Sequence, residues 1–112
     1  MATTLVTKLV GPTIGLSVVA TSHAAVTITP AADTNAVLFV NTSSTLIVYV
    51  TVAQNGLTAA AAVIPTDGVT GSIPIPPLQS LCITTANAPL SVTAIASAAG
   101  PTLLTVTPVS AI

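Results

Sequence analysis

Short runs of β-branched and aliphatic residues, cut at close intervals by proline, glycine and small polar residues, form the dominant pattern along this chain. About ten such runs can be marked: Thr4–Val10, Ile14–Ala20, Ala24–Thr29, Ala36–Val40, Thr45–Ala53, Leu57–Ile64, Thr70–Ile75, Ser80–Thr85, Pro89–Ala96 and Thr102–Thr107. Val, Ile and Thr have stiff side chains that pack well on a pleated surface. The spacing of proline and glycine leaves little room for helix. Ala59–Ala62 is too short for a stable helix and runs into Val63-Ile64-Pro65. The pattern predicts an all-β domain, a β-sandwich or jelly-roll-like fold of about ten short strands. No internal repeat or low-complexity linker divides it.

Turn chemistry suggests pairings. Asn55-Gly56 suits a two-residue type I′ turn and predicts a hairpin with Gln54 opposite Leu57. Its register sets Val48, Val50, Val52 and Val63 on one face, the better candidate for the core. Ile47, Tyr49, Ala60, Ala62 and Ile64 fall on the other, to be covered by something else. Ser97 to Pro101 predicts a second hairpin, Val92 opposite Val106 and Ala94 opposite Leu104, with Ser91, Thr93, Thr105 and Thr107 on a wet face. Pro65-Thr66-Asp67-Gly68 reads as a turn. Ile73-Pro74-Ile75-Pro76-Pro77 reads as an edge strand or extended crossover, because proline cannot donate to a ladder.

At the N-terminus, Leu5, Val6, Leu9 and Val10 alternate with polar residues ahead of Gly11-Pro12. Residues 1–12 are therefore expected to be an arm or swapped strand in contact with another subunit, leading into a sandwich of residues 13–112. Lys8, Leu9–Ala20 and Ser22-His23-Ala24 have the outline of a signal peptide, but Pro12 and Gly15 break the apolar stretch, and the segment is read as structure.

Charge changes the picture most. Lys8, Asp33 and Asp67 are the only charged side chains among 112 residues, of which 52% are hydrophobic. A free domain usually carries about a quarter of its residues as charges, so much of this surface is expected to be buried in an assembly. No stretch reaches the roughly 20 unbroken apolar residues of a spanning helix, and one Phe and one Tyr cannot form the aromatic girdles of a membrane barrel. One lysine cannot replace the counterions of nucleic acid. His23, the two aspartates and Cys82 match no metal-ligand spacing or nucleophile motif, so neither a catalytic site, a metal nor a cofactor is expected. Cys82, between Leu81 and Ile83, reads as a small buried hydrophobe. Thr27-Ile28-Thr29 and Thr105-Val106-Thr107 admit an ice-binding or ligand-binding reading, but they lack a repeat period.

Asn41-Thr42-Ser43-Ser44-Thr45 leading into Val48-Tyr49-Val50, then Gly56, Ile64-Pro65…Gly68, Ile73-Pro74-Ile75 and the closing Val92…Ala94 and Leu104…Val106 runs, together resemble the small β-sandwich virion proteins of tailed bacteriophages, especially capsid decoration or cement proteins. The resemblance covers residues 36–112. It implies a structural protein on the outer surface of the capsid, a homo-oligomer with a trimer as the expected form, whose partner is the shell of major capsid protein. A neck, tail or head-fibre subunit is the alternative. The expected interface comprises Leu5, Val6, Leu9, Val10, Ile47, Tyr49, Ala60, Ala62 and Ile64.

Overall fold

The structure, a computed structural model, describes residues 7–9, 13–29, 35–54, 56–84 and 89–111. These form nine strands and no helix: β1 (Thr7–Leu9), β2 (Ile14–Val18), β3 (Val26–Ile28), β4 (Ala36–Asn41), β5 (Val48–Ala53), β6 (Ile73–Ile75), β7 (Ser80–Thr84), β8 (Leu90–Ala96) and β9 (Thr102–Ala111). The all-β reading therefore holds. One expected strand is missing: residues 57–65 follow an irregular path and join neither sheet.

Both sheets are antiparallel. One runs β1-β9-β4-β7 with β2 also on β9, and the other runs β3-β8-β5-β6. Setting β1 aside, the pairings are nested: β2 with β9, β3 with β8, β4 with β7 and β5 with β6. A chain that pairs first with last and works inward is a long double-stranded ribbon rolled into two layers, which is the jelly roll. Of the predicted arm, only the backbone of Thr7–Leu9 is described, and it pairs with β9 of its own chain at Val109–Ala111. Leu5, Val6 and Val10 lie outside the described residues.

Two predicted hairpins are overturned. The turn at Asn55-Gly56 does form at its described positions, with Gly56 at φ +80 and Leu57 N–H donating to Gln54 at 3.2 Å. The chain then leaves the sheet, so β5 pairs with β6 and β8 instead of with residues 57–64. Val48 and Val50 are fully buried as expected, whereas Val63, placed in the core by the false register, is 48% exposed. Ser97 to Pro101 crosses between the sheets, since β8 and β9 belong to different ones. Val92, Ala94, Leu104 and Val106 are all buried in the common core, not as neighbours within one sheet but in opposite sheets. Phe39, Ile28, Ile75 and Leu90 fill the space between the layers.

The turn at Asp67-Gly68 is as predicted, closed by Val69 N–H to Thr66 at 2.9 Å with Gly68 at φ +72, a conformation glycine adopts without a Cβ clash. β6 is an edge strand, also as predicted.

Among the described residues one polar side chain has no solvent exposure at all. Asn41, at the end of β4, is fully buried. Its Nδ2 donates to Leu46 at 2.8 Å, Ile75 at 2.9 Å and Pro76 at 3.3 Å, and its Oδ1 accepts from Ser43 N–H at 3.0 Å. It thereby ties the first sheet to the end of β6 in the second. Asn41→Ala should cost about 3 kcal/mol, because the buried Ile75 carbonyl and two part-buried ones lose their donor and the side chain's space is left empty, and urea denaturation would measure it. Asn41→Asp should cost more at neutral pH, since a carboxylate would face those same carbonyls. Its deficit should grow as pH rises above the carboxyl's unfolded value of about 4, where the unfolded chain ionises and the folded one resists.

Candidate interaction surface

The outward face of the second sheet is built from Ser91, Thr93 and Ile95 on β8, Tyr49 and Thr51 on β5, and Pro74 on β6, alternating with the core residues Val92, Ala94, Val48 and Val50. Part of this face is covered by the chain itself. Residues 59–63 lie over it as a strap whose backbone is bonded to hydroxyls. Ala59 N–H donates to Ser91 Oγ at 2.9 Å, and Thr93 Oγ1 donates to the Ala60 carbonyl. Ala62 N–H donates to Ser22 Oγ at 2.8 Å, and Val63 N–H to Ser72 Oγ at 2.9 Å. Ser72 N–H returns a bond to the Val63 carbonyl at 2.8 Å, and its hydroxyl also meets Thr51 Oγ1.

The strap explains why Ser91 and Thr93, expected on a wet face, are buried. It also separates the predicted interface residues. Ala62 is buried by its own chain at 5% exposure, and Ala60 is exposed on the strap. Ile47, Tyr49 and Ile64 are half-buried. Because residues 57–64 do not pair with β5, these residues do not share one hairpin face. Beyond the strap lies a row across three strands, Pro74, Tyr49 and Ile95, in direct register and with no charge in it, Pro74 exposed and the other two half-buried. Leu9 lies in β1 opposite Val109. Further large apolar side chains are exposed at the loops, with Leu57 at 69% and Leu78 at 66%.

Among the described residues, reactive groups do not converge. His23 sits before β3, its backbone N–H on the Ala94 carbonyl and its Nδ1 at 2.7 Å from the Ala24 carbonyl. Asp67 is exposed in its turn. Cys82 is half-buried on β7, and burial pushes its thiol pKa up, away from the reactive thiolate. No group of three metal-ligating side chains occurs among the described residues. A shallow cleft between Ala25 and Thr27 on one side and Gly56, Leu57 and Thr58 on the other offers no charged side chain. No described helix is long and apolar enough to cross a membrane. Thr107, one of the threonines considered for an ice-binding array, is buried and bonded to Thr13 Oγ1 at 2.7 Å. Compared with known proteins, the chain matches no family model, no curated protein and no solved structure.

Ser91→Ala should strand the buried Ala59 N–H, costing about 1 kcal/mol. Hydrogen exchange should speed up at Ala59 and along the strap while the amides of β8 and β5 stay protected.

Proposed function

We propose that the chain is a structural virion protein, a decoration or cement protein that binds the outside of a phage capsid shell, and not an enzyme. The observation that carries this reading is a jelly roll whose chain has almost no charge: the row of exposed Pro74 and half-buried Tyr49 and Ile95, together with exposed Leu57 and Leu78, offers apolar contact without a charged side chain among them. Such a surface associates by excluding water from apolar groups, and tyrosine suits it because its ring buries while its hydroxyl finds a partner. Jelly rolls recur in capsid proteins, which supports the reading by analogy of fold. The partner in this reading is the major capsid protein. Ile47 and Tyr49 are the described residues placed at the contact, and Leu5, Val6, Leu9 and Val10 are the candidate arm contacts.

Imaging of particles that carry the chain tests this directly. Density for the chain on the outer shell is the expected result, and density at the portal vertex, neck or tail would replace it with the alternative virion role. Bound protein should resist release in about 1 M sodium chloride, where the screening length falls to about 3 Å, because burial of apolar surface is not weakened by salt. Tyr49→Asp should leave circular dichroism and thermal unfolding close to wild type, since the side chain is outside the core, while abolishing attachment to particles.

A further inference from the structure

We propose that two copies of this chain associate by antiparallel pairing of β7 with β7, centred on Cys82, joining their first sheets into one. Independently of the virion reading, β7 ends the first sheet with an edge that carries neither proline nor charge.

Which backbone groups face outward follows from the pairings. Asn41 N–H donates to the Gln79 carbonyl at 3.0 Å, so Asn41 and Gln79 are a hydrogen-bonded pair. Bonding alternates along an antiparallel ladder, so the groups of Leu81 and Ile83 point at β4, and those of Ser80, Cys82 and Thr84 point away from it. Gln54 Nε2 reaches the Thr84 carbonyl from that outer side at 3.3 Å, which agrees, and the carbonyl keeps a second lone pair. Among the described residues no strand pairs with this side of β7.

The other edges among the described residues are short or blunted, and β1, at the far end of the first sheet, is described over three residues. In the second sheet Ser97 N–H donates to the Ile47 carbonyl at 2.9 Å, so odd-numbered residues of β5 face β8 and even-numbered ones face β6. Pro74, opposite Tyr49, therefore turns its missing N–H outward, and Pro76 continues the same alternation. β3 is three residues long. Within its described length β2 offers outward groups at Gly15 and Ser17, just ahead of the point where the Val19 carbonyl accepts from Ala96 N–H at 2.8 Å. β7 carries neither proline nor charge, the usual guards of an exposed edge.

A second copy fits this edge better than an unrelated strand because β7 is self-complementary. A two-fold axis at Cys82 sets Ser80 against the second copy's Thr84 and Cys82 against the second copy's Cys82. Every outward donor then meets an outward acceptor, and no like charges are opposed. The same register puts Leu81 beside the second copy's Ile83 on the inner face. Both are only half-buried at the sheet edge although they pack against the core, and the pairing completes their burial.

Sedimentation velocity, hydrogen exchange and thiol cross-linking test this on the full chain. A dimer is expected, with the amides of Ser80, Cys82 and Thr84 protected increasingly as concentration rises. A short bismaleimide should join two chains through Cys82, the only thiol present, because hydrogen-bonded partners across antiparallel strands lie about 5.5 Å apart at Cα. Cys82→Lys, which opposes two cations, should weaken the dimer at least about tenfold without unfolding the monomer. Cys82→Pro should do the same, since the N–H it removes points away from β4. A monomeric wild type, outward amides that exchange freely at every concentration, or a dimer unmoved by Cys82→Lys would overturn the proposal. So would a trimer whose thiols do not cross-link, which would point to β7 pairing with β2 of the next copy.

Discussion

Every backbone donor and acceptor that the two sheets do not use internally must be satisfied without charged side chains, because the chain has almost none. This constraint organises the molecule around its apolar core. Hydroxyls take up the strap's backbone through Ser22, Ser72, Ser91 and Thr93. A buried amide, Asn41, serves three carbonyls where the sheets meet. Proline removes donors that would otherwise go unmet. Pro74 does so on the outer edge of β6. Odd-numbered residues of β9 face β4, as the Thr42 N–H to Leu103 bond shows, so Pro108 turns its missing N–H away from β4 and leaves that ladder complete.

The nested pairing explains why local turn signals mislead here. Ile14 pairs with Val106 and Val26 with Val92, so most neighbours are distant in sequence. A tight turn such as Gln54–Leu57 can form without its flanks pairing, because the partners of β5 arrive from β6 and β8. The bend after Ala96 likewise passes the chain from one layer to the other. A rolled ribbon is dominated by long-range contacts, which also makes it slow to nucleate.

The side-chain alternation was legible because it is a property of each strand alone. Val48 and Val50 inward, Tyr49 outward, proline on the edge at Pro74 and the turn at Gly68 all follow from period two and turn stereochemistry. Partners were not legible, because strands apolar on both faces fit several neighbours equally well. The run from Leu57 to Ile64 had a strand's composition, and hydroxyls at Ser22, Ser91 and Thr93, far away in sequence, with Ser72 nearer by, decide that it is a strap. The role of Asn41 was hidden for the same reason: its three acceptors come from Leu46, Ile75 and Pro76, which only the fold brings together.

A neutral surface also changes how selectivity can arise. Oppositely charged rims normally steer partners together and reject wrong ones, and this chain gives up that device. Discrimination must then come from backbone geometry and shape. β6 and β7 illustrate the point, since both are uncharged edge strands that differ in what occupies the outward positions: Pro74 on one, Ser80, Cys82 and Thr84 on the other. Proline excludes a partner strand sterically and by withholding a donor, and it does so equally at any salt concentration. Where charge is absent, the placement of proline is the physical means left to separate an edge that repels strands from one that accepts them.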